Sequence, residues 1–142
     1  MMPPRARRVA GLAGPIAIAA VLIGVALVAP TGATPRTVEI TMRHSKFLPA
    51  RFVVRRGATI RFVVTNADPI DHEIIIGDEA VQRRHETGTE AEHGTVPGEV
   101  TVPAGTTAET TFTFSRPGIL LIGCHAPGHY AYGMRGRVMV VY

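Results

Sequence analysis

From position 37 onward the chain alternates between polar and apolar residues. Thr37-Val38-Glu39-Ile40-Thr41-Met42 follows the period of a strand with one face buried. Phe52-Val53-Val54 and Thr59-Ile60-Arg61-Phe62-Val63-Val64-Thr65 predict two further strands, and Gly57 in Arg55-Arg56-Gly57 marks the reversal between them. Asn66-Ala67-Asp68-Pro69 breaks the pattern, and Glu73-Ile74-Ile75-Ile76 resumes it until Gly77-Asp78. Residues 79–98 form a polar excursion carrying His85, Glu86, Glu90, Glu92 and His93; its first part predicts a short helix starting from Asp78 and the rest a loop. Beyond it come Val100-Thr101-Val102, a turn at Pro103-Ala104-Gly105, and Thr107 to Phe114 with Phe112 and Phe114 on one face. A turn at Pro117-Gly118 leads into Ile119 to Ile122, and a last strand runs from Arg137 to Tyr142. About seven or eight short strands separated by turn signals predict an all-β fold, a β-sandwich.

The N-terminus follows a different rule. Arg5, Arg7 and Arg8 precede a run from Val9 to Pro30 without a single charge, and Thr31-Gly32-Ala33 supplies small residues at a cleavage position. The run is long enough for an apolar helix of roughly 33 Å, so residues 1–33 are expected to be a signal peptide or an N-terminal membrane anchor. Either one exports the domain at 34–142, to a periplasmic or other extracytoplasmic position, and any membrane association would pass through residues 9–30. Without those three arginines the formal charge falls from +4 to +1, with 12 basic against 11 acidic residues. A domain so close to neutral predicts no nucleic-acid face.

Exported domains of this size often rely on disulfides, yet Cys124 is the only cysteine of 142 residues and cannot form one within the chain. Around it lies Cys-His-Ala-Pro-Gly-His-Tyr-Ala-Tyr-Gly-Met, residues 124–134, with two of the six histidines and one of the five methionines. A thiolate, imidazoles and a thioether together select copper among the common metals, because soft sulfur favours Cu(I) and imidazole suits Cu(II). Zinc would more often use several cysteines or a carboxylate. Cys124, His129 and Met134 are evenly spaced, and Pro127, Gly128 and Gly133 let the loop close around one ion. A trigonal His₂Cys site with a long axial Met needs one more histidine. His72, where a loop enters a strand, is the best placed, and His44, His85 and His93 are less so.

With its first His in a mid-chain loop and Cys-x₄-His-x₄-Met before the last strand, the chain resembles the cupredoxins, the blue (type 1) copper proteins that include plastocyanin, azurin and rusticyanin. The likeness runs over residues 36–142 and its spacing is nearer to rusticyanin-like members. It implies a Greek-key sandwich holding one copper per chain on His72, Cys124, His129 and Met134. In several cupredoxins an Asn or Ser after the first His ties the ligand loops together; here that position is Glu73. Multicopper oxidases resemble the Cys124 stretch too, but Gly123 precedes the cysteine and the chain has no His-x-His pair, so a three-copper cluster cannot be built from it.

The resulting expectation is a one-electron carrier, not an enzyme, because four protein donors fill the site. The resemblance further implies a redox partner such as a cytochrome or oxidase, docking around His129 with Tyr130 and Tyr132 nearby. The alternative is a copper-handling protein that buffers, delivers or senses copper, with His85 and His93 in a second, exposed metal site; the plainer expectation for that segment is a solvated acidic loop. His125 is expected to be a solvent-side or loop hydrogen-bonding residue.

Overall fold

The computed structural model describes residues 35–88 and 93–142. The expected leader at 1–33, and Glu90 and Glu92 of the excursion, lie outside the described residues. Among those described, no helix is long and apolar enough to cross a membrane.

Among the described residues, nine strands and one helix follow in order. They are β1 (Arg36–Met42), β2 (Phe47–Leu48), β3 (Arg51–Arg55), β4 (Thr59–Asn66), β5 (His72–Gly77), α1 (Glu79–Glu86), β6 (Glu99–Val102), β7 (Thr107–Thr113), β8 (Gly118–Gly123) and β9 (Arg135–Val141). One sheet runs β2-β1-β4-β7 and the other β3-β9-β8-β5-β6. The expected all-β sandwich is what forms. The strand that the alternation missed is β2, whose two residues are too few to show a period.

Strand β4 shows why the sheets close on one another: Ile60, Phe62 and Val64 are buried while Thr59, Arg61 and Thr65 are exposed. Its inward residues join Phe114, Ile40, Ile74, Ile76, Ile122 and Val138 in one core. Full burial of each such side chain is worth about 1.5–3 kcal/mol, and Phe62 and Phe114 add an edge-to-face contact at 6.3 Å.

Strand β5 departs from that rule, since every residue from His72 to Gly77 is buried. Ile74 and Ile76 belong to the inner core, so alternation turns Glu73 and Ile75 to the outer face of the sheet. In β6, Val100 and Val102 point inward and Glu99 and Thr101 share the outer face; Glu73 pairs with Thr101 and Ile75 with Glu99. Helix α1 covers this outer face. Asp78 caps it by accepting from Val81 N at 2.9 Å, and Gln82, buried on its underside, donates to the carbonyls of Ile75 at 3.1 Å and Leu121 at 3.4 Å. Gly123 permits the contact: a Cβ there would run into Gln82 and the ring of Tyr130.

Candidate metal centre

The loop after β8 closes on its own backbone. Cys124 N donates to Met134 O at 3.2 Å, Met134 N to His129 O at 2.9 Å, His129 N to Ala126 O at 2.9 Å and Gly133 N to Tyr130 O at 3.1 Å. Gly128 and Gly133 take φ of 81° and 92°, a region that disfavours any side chain, and this lets residues 124–134 turn back so tightly. Lys46 Nζ ties the turn between β1 and β2 to this loop through Gly133 O at 3.1 Å.

Three donor atoms meet at this end of the sandwich. Cys124 Sγ lies 3.3 Å from His129 Nδ1 and 3.8 Å from His72 Nδ1, and the two Nδ1 atoms are 3.1 Å apart. Cys124 and His72 are buried and His129 is half-buried. Met134 is fully buried in the same core, its backbone bonded to both Cys124 and His129. Thus the fold gathers His72 from the start of β5 with Cys124 and His129 from the β8–β9 loop, and buries Met134 at the end of that loop. A thiol, two imidazole Nδ1 atoms and a neighbouring thioether are the donor set that suits copper.

The sequence did not flag Asp68, taken only as part of a strand break. Its carboxylate accepts from His72 Nε2 at 2.8 Å, His44 N at 2.7 Å and Ser45 N at 2.8 Å. With the Nε2 proton committed to Asp68, His72 presents an unprotonated Nδ1 to the site. Burial on its own would raise the Asp68 pKa, but the hydrogen bonds from Ser45, His72 and His44 outweigh it and hold the carboxyl below its ordinary value. Asn66, buried behind it, fixes the loop by donating to Ile70 O at 2.8 Å and Val102 O at 2.9 Å while accepting from Asp68 N at 3.0 Å.

Glu73, the departure from the Asn or Ser of related proteins, still links the two ligand loops. Its N–H donates to Cys124 Sγ at 3.5 Å and its carboxylate accepts from His125 N at 2.6 Å. Of the two alternatives expected for His125, it is the hydrogen-bonding loop residue, through Nε2 to Gln82 Oε1 at 2.8 Å, and it is half-buried. Its ring stacks on Tyr130 at 4.4 Å, and Arg135 covers the Tyr130 ring at 4.4 Å. Burial, the largest cause, pushes the His125 pKa down to about 4. Tyr130 is therefore held in packing, whereas Tyr132 is 87% exposed.

The excursion does not hold His85 and His93 in an exposed metal site, while Glu86 and residues 94–97 are exposed as the expected solvated loop would be. The side chains of His85 and His93 are only 7% and 4% exposed, packed on the outer face of β5 and β6 beside Glu73 and Glu99. The sequence signal that could have shown this is the run Glu73-Ile74-Ile75-Ile76, whose outward-facing Ile75 requires a cover. His44 is exposed, at φ 53°, and touches the site only through its N–H to Asp68.

At neutral pH the electrostatics of the two donors pull in opposite directions. Burial pushes the Cys124 thiol up to about 11, against the backbone hydrogen bonds from Glu73 and Ala126 that favour the thiolate. Burial, the largest cause, holds His129 below its usual range, so its imidazole is neutral and free to ligate. Copper uptake by the metal-free protein must therefore expel the thiol proton. The expected result is about one proton released per copper from this group, and an apparent affinity rising about tenfold per pH unit around neutrality, checked by calorimetry in buffers of different ionisation enthalpy.

Comparison with known proteins agrees with this centre. A family model of copper-binding proteins, the plastocyanin/azurin family, matches residues 36–141. The copper-resistant cuproprotein CopI of Rubrivivax gelatinosus is 38% identical over 110 residues, covering 74% of this chain and 66% of that protein, so the chain spans slightly less than two thirds of that relative. CopI of Pseudomonas aeruginosa is 29% identical over 137 residues, covering 74% and 76%. The dithionite-reduced auracyanin of Roseiflexus castenholzii superposes with a TM-score of 0.64 at 25% identity, over 78% of this chain and all of that one. With its sandwich, its Cys/His/His donors and a match over nearly the whole described domain, the chain belongs to the plastocyanin/azurin family of copper-binding proteins, the cupredoxins, and its cofactor is copper.

Proposed function

We propose that the chain is an exported type 1 copper protein that carries single electrons and catalyses no reaction of its own. The observation that carries this reading is the closure of the site: Cys124, His72 and His129 present three donors within 4.8 Å of one another, with Met134 buried alongside. Neither of the two described cavities, about 460 Å³ beside Tyr130 and Arg135 and about 330 Å³ beside Arg61 and Thr110, is lined by any of these four residues. A substrate would have no approach through them.

Copper bound there would supply a Cu(I)/Cu(II) couple. The chain's own contribution is to hold the donors still, Asp68 through His72, Glu73 through Cys124, and the loop backbone through His129, so that little has to rearrange when the charge changes. His129 is the half-buried donor, flanked by Ala126 and by exposed Pro127, Gly128 and Tyr132. That small, mostly apolar rim would suit brief docking of a cytochrome or oxidase, with little electrostatic steering from a domain so close to neutral. The three arginines and uncharged run at the N-terminus support a place outside the cytoplasm.

Met134 supplies a test of the axial role. Met134→Leu is expected to keep copper and raise the reduction potential, because a weak donor to Cu(II) is lost. An unchanged potential in protein-film voltammetry would remove Met134 from the site.

A second reading, copper handling, is favoured by the names of the two CopI relatives, both copper-resistant cuproproteins. The two readings part on kinetics. A carrier exchanges electrons with a cytochrome much faster than it gives copper to a chelating acceptor; a handler shows the reverse order, read by stopped-flow absorption of the copper-loaded protein.

A further inference from the structure

The outer face of the second sheet carries a cluster that the copper centre does not use. His85 comes from α1, His93 from the excursion and Glu99 from the start of β6. His85 Nε2 lies 3.1 Å and His93 Nδ1 3.4 Å from the same oxygen, Glu99 Oε2, and the two rings are 5.0 Å apart. All three side chains are less than 9% exposed.

Counting protons shows what the cluster lacks. His85 Nδ1 is 2.9 Å from Val81 O, which can only accept, so that nitrogen carries the ring's proton. In a neutral ring Nε2 then directs a lone pair at a carboxylate oxygen. His93 has the same difficulty, because Nε2 faces Glu73 Oε2 at 3.2 Å and Nδ1 faces Glu99 Oε2. If both rings are neutral, these four contacts to acceptors share only two ring protons. If His93 gives its proton to Glu73, both shortfalls fall at one point, Glu99 Oε2. A single divalent cation between the two lone pairs and that oxygen would remove both.

We propose that His85, His93 and Glu99 are a second metal site, selective for a divalent ion that prefers imidazole with one carboxylate, Zn(II) or Cu(II). Ligand atoms bound at about 2.0–2.1 Å in tetrahedral geometry sit roughly 3.3–3.4 Å apart, close to the separations of the two nitrogens from Glu99 Oε2. The Glu73 carboxylate on the far nitrogen of His93 is the outer partner that metal-bound histidines usually have. Among the described residues, His125 Nδ1 is the buried side-chain nitrogen or oxygen with no hydrogen-bond partner, and the His125 ring is 5.9 Å from that of His85.

The fold explains why two sites would lie back to back. Strand alternation sends His72 inward and Glu73 outward, and past the end of β8 it sends Cys124 inward and His125 outward. Glu73 belongs to both sides, with its N–H on the Cys124 sulfur and its carboxylate on His93. The second site is thus separated from the copper centre by one sheet.

The test starts from the full chain with its first site filled by Cu(I), to which Zn(II) alone is added. Nitrogen-15 NMR should show His85 Nε2 and His93 Nδ1 shifting together at one Zn(II) per chain. Glu99→Gln, nearly isosteric and remote from Cys124, should lose that equivalent while its oxidised form keeps the thiolate absorption band of the parent. In a second arm, Cu(II) is added to the Cu(II)-loaded protein, and a second paramagnetic signal lacking thiolate character is expected, absent from Glu99→Gln. Uptake of either ion at these nitrogens supports the site, and the tighter of the two names its preference. Should neither ion move the His85 and His93 resonances, the shortfall is met by protons and the proposal fails. It also fails if Glu99→Gln binds the extra equivalent as the parent does. Because the copper centre is followed by its own band, loss of the second site leaves the electron-carrier reading standing.

Discussion

Replacing Cys124 by serine is expected to abolish the intense thiolate-to-Cu(II) visible band entirely while leaving the sandwich folded. The sulfur is the one donor among His72, Cys124 and His129 that forms a strongly covalent, charge-delocalising bond with copper, so its loss removes the colour and not merely some affinity. A serine hydroxyl is not ionised near neutral pH and cannot stand in for it. The change of shape is small. Burying a hydroxyl where a thiol sat costs about 1–3 kcal/mol, and the N–H of Glu73, which donates to the sulfur at 3.5 Å, can donate to the oxygen instead. Such a cost leaves most of a domain's usual stability of about 5–15 kcal/mol. Absorption, copper per chain and thermal unfolding measured on the same preparation separate the two effects. A variant that absorbs like the parent would exclude Cys124 from the centre. The contrast with Met134→Leu is informative, since that change is expected to keep the band and move only the potential.

How much of this was legible in the sequence differs from element to element. The alternation of Thr59 to Thr65 gave β4 because one face of that strand is buried and the other wet. The fully buried β5 is different: a run of three isoleucines says that both faces are covered but not by what, and the cover, α1 with His85 and Gln82, is assembled by packing against Gly77 and Gly123. The centre was legible because Cys124, His129 and Met134 share one loop, so their spacing survives in the linear chain. His72 needed the fold, arriving from a strand 52 residues away from Cys124. The supporting shell was not legible at all. Asp68 looked like turn chemistry, and Glu73 looked like a departure from the family pattern, although its backbone N–H makes the bond to sulfur that no side chain identity could reveal. Polar residues placed by tertiary packing carry no periodic signal of their own.

Asp68 carries the other large expected effect, and it acts through His72. Its carboxylate holds the Nε2 proton and leaves Nδ1 facing Cys124 and His129. It also receives the N–H groups of His44 and Ser45, which sit at φ of 53° and 51°, a region that non-glycine residues seldom occupy. Asp68→Ala removes the partner of three buried or half-buried donors at once. The expected results are a loss of about 2–4 kcal/mol in stability, from hydrogen bonds to a charged group, and a copper affinity lowered roughly 10–100-fold as the His72 ring loses its fixed tautomer and orientation. Asp68→Asn distinguishes orientation from mere folding. The amide keeps the shape and one accepting oxygen but turns an N–H₂ toward groups that are themselves donors, so it should recover part of the stability and little of the affinity. Denaturant unfolding of the metal-free variants and copper competition against a chelator of known affinity give the two quantities separately. If Asp68→Ala bound copper as tightly as the parent, the His72 ring would have to be positioned by its packing alone, and the bond to Asp68 would be a feature of the turn and not of the metal centre.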